Sequence, residues 1–178
     1  MSNDALAIYL QDHLAGAASA IELLEMLRDQ HEGESVGALA AQLVAEVEAD
    51  RGVLDALARR VAEGSSLLKD ATGWLGAKIS QLKLGRQAAG TLGTFQAFET
   101  LALGILGKVA LWGALMEVAP SDARLSGLDF QALAQRAQAQ HARVERQRLA
   151  LARTALQGGH LTSTRETRRR AARGPALR

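Results

Sequence analysis

Apolar residues recur at three- and four-residue intervals along four stretches of this chain: Asp4–Gln30, Glu34–Glu63, Ala88–Val118 and Leu128–Gln157. That period places them on one stripe of an α-helix. The first stripe runs through Leu6, Leu10, Ala17 and Leu24, the second through Leu39, Leu43, Val47, Leu54, Leu57 and Val61. The fourth runs through Phe130, Leu133, Ala137, Val144, Leu151 and Ala155. The third stretch is apolar on nearly all sides, with Glu99, Lys108 and Glu117 as its charges. A helix contacted all round in a bundle reads this way, so no membrane span is expected. Short turns separate the first helix from the second and the third from the fourth. Residues 64–87 lie between the two hairpins and are themselves amphipathic, with Leu67, Leu68, Trp74, Leu75, Ile79 and Leu82 opposite Lys69, Lys78 and Lys83. The expectation is an all-α four-helix bundle, residues 1–159, of two helical hairpins joined by a long, partly helical crossover that makes helices two and three parallel.

Local chemistry marks the ends. Ser2, Asn3 and Asp4 are candidate N-caps for helix one, and Ser126 followed by Asp129 resembles a capping box for helix four. Pro120 breaks helix three, and Gly158-Gly159 is the expected stop of helix four. The Arg-rich residues 160–178 then form a disordered tail.

Helix three carries a second pattern. Gly90, Gly93, Ala97, Thr100, Gly104 and Gly107 follow alternating intervals of three and four, while Phe95, Phe98, Ile105, Trp112 and Met116 fall on another face. Each mid-helix glycine costs about 1 kcal/mol relative to alanine. Close approach of another helix, within the bundle or from a second subunit, is the expected compensation.

Several polar residues fall on core stripes: His13, Asp50, His141 and Arg148, with Glu99 at the border of the bulky face of helix three. In an antiparallel hairpin the numbers of facing residues sum to a constant. That rule places His13, Asp50, Lys108 and His141 in one layer and Glu99 with Arg148 in another. One reading makes His13, Asp50 and His141 ligands of a divalent metal ion. The other makes all six a buried polar network that holds the core in register, with a His13–Asp50 hydrogen bond and a buried Glu99–Arg148 pair. The network is the favoured reading, with no cofactor.

Composition narrows the function. There is no cysteine, and therefore no disulfide or zinc-thiolate site. No Gly-x-Ser-x-Gly elbow or phosphate loop occurs. Met1–Ala7 has no basic segment leading into an apolar one, so the cytoplasm is the expected location. The net charge of +2 hides a division: −8 over residues 1–63, +5 over 64–159 and +5 over 160–178. The halves can attract each other, and a nucleic-acid partner is not expected from the excess of arginine.

The run Tyr9-Leu10-Gln11-Asp12-His13-Leu14-Ala15-Gly16, with Glu22-Leu23-Leu24, Trp74-Leu75, Lys78, Glu99-Thr100-Leu101-Ala102-Leu103-Gly104-Ile105, Gly107-Lys108 and Trp112, resembles a group of small bacterial proteins. More widely the chain resembles the ferritin-like superfamily. That resemblance implies a Glu on helices one and three and a Glu-x-x-His on helices two and four. Here Glu99 corresponds to the helix-three Glu and Glu22 to the helix-one Glu, although Glu22 lies off the core stripe by periodicity. Helix two has no histidine, and helix four has Gln138 three residues before His141. The resemblance therefore implies a non-catalytic bundle with a degenerate metal site, acting through self-association or a protein partner. A metal-binding protein for redox work or storage is the alternative. Contact of the Arg tail with an anionic surface or nucleic acid is third.

Overall fold

The computed structural model describes residues 4–63 and 90–172, with side chains through Gln157. The described residues are all-helical: α1 (Ala5–Gln30), α2 (Ser35–Glu63), α3 (Thr91–Val118) and α4 (Phe130–Ala172), with two short 3-10 turns, Ala119–Ser121 and Ala123–Leu125, between α3 and α4. The proposed crossover, with its amphipathic pattern, lies outside the described residues, which end at Glu63 and resume at Gly90.

Those ends are well defined. α1 packs extensively on α2, and α3 on α4; α1 also packs on α3, while α2 and α4 meet sparsely. At one end of the bundle His31 Nε2, just past α1, lies 2.9 Å from Thr94 Oγ1 in the first turn of α3. At the other end Arg124, beyond α3, reaches Asp4 at 2.5 Å, and Arg60 near the end of α2 donates to the carbonyl of Ser126 at 2.8 Å. α1 and α3 are therefore antiparallel, and α2 and α3 run in the same direction, as the sequence predicts.

The helix starts follow from side-chain caps. Asp4 caps α1, accepting from the Leu6 and Ala7 amides at 3.1 and 3.4 Å. Its contact with Arg124 holds the carboxyl below its usual value. The cap of α4 is Asp129, whose Oδ1 accepts from the Ala132 amide at 2.9 Å. The expected Ser126–Asp129 box is not used, because Ser126 closes the preceding 3-10 turn and Gly127, at φ +80°, turns the chain. α4 also passes through Gly158-Gly159 and continues to Ala172. Two glycines cost about 2 kcal/mol of helix propensity without forbidding the helix, and the next proline is Pro175. The expected boundary at 159 is thus corrected, and the arginines at 165 and 168–170 lie on a helical extension of α4.

The core is aliphatic, centred on Leu10, Leu24, Leu27, Leu43, Leu57, Phe98, Leu111, Trp112 and Leu115. One glycine is structurally required. A Cβ on Gly37 would lie 2.2 Å from the carbonyl oxygen of His31, a backbone atom that cannot swing away. Gly37→Ala is expected to destabilise the protein by about 1–3 kcal/mol, read from chemical denaturation, because the α1–α2 turn must open to admit the methyl group.

Candidate functional site

One charged residue of α2 is almost fully buried: Asp50, 3% exposed. The stripe Val47, Asp50, Leu54 turns it into the bundle, where a carboxylate is stable only if other helices supply donors. They do. The Lys108 ammonium of α3 approaches Asp50 Oδ2 at 2.5 Å, and Gln140 Nε2 of α4 donates to the same oxygen at 3.2 Å. The Lys108 ammonium also donates to Gln140 Oε1, and the Arg136 guanidinium pairs with Asp50 Oδ1. Three helices thus meet in one polar cluster, in which Asp50 Oδ1 faces Arg136 as an ion pair without an aligned hydrogen bond. A neighbouring bridge, Arg143 to Glu46 at 2.5 Å, again links α4 to α2. These side chains span the sparse α2–α4 side of the bundle. Burial pushes the Lys108 ammonium below its usual value, and Asp50 opposes that shift.

The predicted layer is half present. Asp50 and Lys108 meet, but His141 is only half-buried and its neighbour Gln140, 1% exposed, takes the inward position. Gln140 falls three residues after Ala137 and four before Val144, a spacing that equally well marks an inward position; His141, one residue on, is rotated about 100° further round the helix. Arg136 carries no such signal. It works from the rim of the stripe because its side chain is long enough to reach in. The predicted His13–Asp50 hydrogen bond is not formed. Asp50 is engaged by cations, and His13 is edge-on to Tyr9, ring centroids 4.7 Å apart. Among the described residues no three His, Asp or Glu side chains are grouped to hold a metal ion, so His13, Asp50 and His141 do not converge as a ligand set.

The Glu99–Arg148 pair exists at 3.9 Å, but as a surface contact: the Glu99 side chain is 53% exposed. Arg148 binds Glu145 more closely, at 2.6 Å, and lies over the Phe95 ring. Such an exposed pair contributes about 0–1 kcal/mol, well below the value expected for a buried one. The helix-four phase error that misplaced His141 also placed Arg148 too deep.

His13 does share a space with the cluster. A cleft of about 100 Å³ lies between α1, α2 and α3, with Asp50 and Lys108 at its base and His13 on its wall. Gly16 of α1 and Gly104 of α3 line it, and a Cβ on either would meet nothing within 4 Å. This corrects the close-packing reading of the seam. Gly93 and Ala97 are buried, Gly107 is half-buried, and Gly90, Thr100 and Gly104 are exposed. Gly90 serves as the α3 N-cap at φ +72°. Further along, the missing side chains leave an opening instead of drawing a backbone in. A second polar junction, missed by the sequence reading because His31 lies just past the end of the first helical stretch, joins the hairpins: His31 Nδ1 to Glu34 and Nε2 to Thr94, both 2.9 Å.

No family model matches this chain, nor does any curated protein or solved structure.

Two outcomes follow from the geometry. Asp50→Ala leaves the Lys108 ammonium buried without its counter-charge and is expected to cost about 3–5 kcal/mol in a denaturation measurement. Adding Lys108→Met should recover a large part of that loss. Desolvation also lowers the His13 pKa below its ordinary value, with Asp12 opposing. The unfolded chain then binds this proton more tightly than the folded one. His13 therefore makes stability fall as pH drops through the ordinary histidine range. Melting temperatures between about pH 7.5 and 5.5 should fall less steeply in His13→Gln than in the wild type.

Proposed function

We propose that the protein is a ferritin-like bundle that acts by association with a second copy of itself, with the Asp50–Lys108 cluster standing where metal-binding relatives of this architecture hold ions. The parallel course of α2 and α3 supports the ferritin-like reading, since it demands the long crossover of that class. Against the metal reading, an ammonium already neutralises the central carboxylate, and a further cation there would be repelled. Nothing in the cluster calls for a catalytic role.

The observation that carries the association reading is the outward face of α3. A core helix should be mostly buried, yet only 33% of the most apolar eighteen-residue window of α3 is. Leu103 is 66% and Leu106 47% exposed, and they continue into Gly107, Ala110 and Ala114 on the same stripe. Exposed apolar stripes of this kind mark interaction surfaces. The stripe is large at one half and small at the other. Paired antiparallel about a two-fold axis near Lys108, Leu103 falls opposite Gly113 and Leu106 opposite Ala110, so projections meet flat surface. That is the self-complementarity a two-fold interface needs. Glu99 falls opposite Glu117 in this pairing, and Arg148 beside Glu99 offsets the like charge. The stripe is long and apolar enough to cross a bilayer by composition alone. Insertion would take α4 with it, and its Arg136, Arg143, Arg146, Arg148 and Arg153 would each cost about 2.5–3.5 kcal/mol at mid-bilayer.

Light scattering on the purified protein is expected to give a dimer, and Leu103→Glu with Leu106→Glu a folded monomer of unchanged helicity. A wild-type monomer, or a double variant that still associates, would remove this reading. Elemental analysis of protein prepared without added metal should show no stoichiometric transition metal; one metal per chain would restore the metal alternative.

A further inference from the structure

The cleft above Lys108 has the chemistry of a binding site for a small anion with an apolar tail. Its base is cationic. Lys108 lines the cleft with Asp50, whose carboxylate it shares with Arg136 outside the lining, and Arg51, a second lining cation, has no partner among the described residues. An ammonium has three donors. Asp50 and Gln140 accept from Lys108, which leaves one N–H without an acceptor among the described residues. The ring nitrogens of His13 likewise make no hydrogen bond to the described residues, although the ring lies on the cleft wall. The remaining wall is apolar, with Val47, Leu54, Ile105, Leu111 and the indole of Trp112. The mouth stays open because Gly16 and Gly104 carry no side chain.

We infer that this cleft binds a short aliphatic carboxylate, its oxygens at Lys108 and His13 and its alkyl chain along the leucine and isoleucine wall. The excess positive charge selects an anion over a neutral molecule, and the flat apolar wall selects an alkyl chain over a free inorganic ion. Size sets the length. A cavity of about 150 Å³ accommodates benzene, so the 100 Å³ here suits a chain of three or four carbons. The site lies on the α1 side of α3, away from the Leu103–Leu106 stripe, and does not depend on how the protein associates.

Titration calorimetry with sodium acetate, butyrate and octanoate tests this on the full chain. Butyrate should bind saturably, about tenfold more tightly than acetate for its two additional methylenes. Octanoate should gain nothing further over butyrate, because the cleft is full. n-Butanol should bind at least tenfold more weakly than butyrate, having no charge to offer Lys108. Gly104→Leu should abolish binding while leaving the melting temperature unchanged or raised, since its side chain enters open space on a helix. Lys108→Met should abolish it too, and it leaves Asp50 paired with Arg136. No saturable heat with butyrate would overturn the inference. So would equal affinity for butanol, a steady gain through octanoate, or undiminished binding in folded Gly104→Leu.

Discussion

The arrangement of the described helices depends on one buried carboxylate. Asp50 has been taken out of water, and a bare charge there would be prohibitive. Each neighbouring helix that faces it must supply something: α3 its ammonium, α4 an amide and a guanidinium. The hydrocarbon core around it would tolerate small slides of one helix past another. The polar cluster does not, because a shift of one turn, about 5.4 Å, would separate Lys108 from both of its acceptors. The cluster is a register pin at mid-bundle, and the Arg124 and His31 junctions pin the two ends.

The same constraint accounts for the uneven packing. α1 and α2 form one closely packed hairpin and α3 and α4 another. Between them, α1 lies on α3, whereas α2 and α4 are bridged by long side chains, Arg136 to Asp50 and Arg143 to Glu46. Long cations can span such a gap while their aliphatic stems cover apolar surface. On the α1–α3 side, Gly16 and Gly104 remove bulk, and the cleft results. Polar reach on one side and absent side chains on the other are the two ways this bundle departs from uniform close packing.

α3 shows how one helix can serve three environments. Phe98, Ile105 and Trp112 fill the core, Gly104 and Lys108 edge the cleft, and Leu103 with Leu106 faces outward. Its sequence reads as apolar all round. The three faces differ in residue size more than in polarity, and size has no consequence until a neighbour is placed against it.

Periodicity by itself determined the helices and their pairing into hairpins. These are local or counting properties: the spacing of leucines and the length of a turn. It also brought Asp50 and Lys108 to one level, because each lies near the middle of its own hairpin when depth is counted from the turn. What it did not decide was rotation. His141 and Gln140 are 100° apart, and either is compatible with Ala137 and Val144 as neighbours. Only the crossing of α4 over α2 turned Gln140 inward. Arg148 was turned away from the core through the same rotation, towards an exposed Glu99 on α3. The glycine seam was visible as a pattern, but whether a backbone fills it depends on interaxial distances that no single helix encodes. Tertiary packing set those distances, and at Gly16 and Gly104 it left the space open.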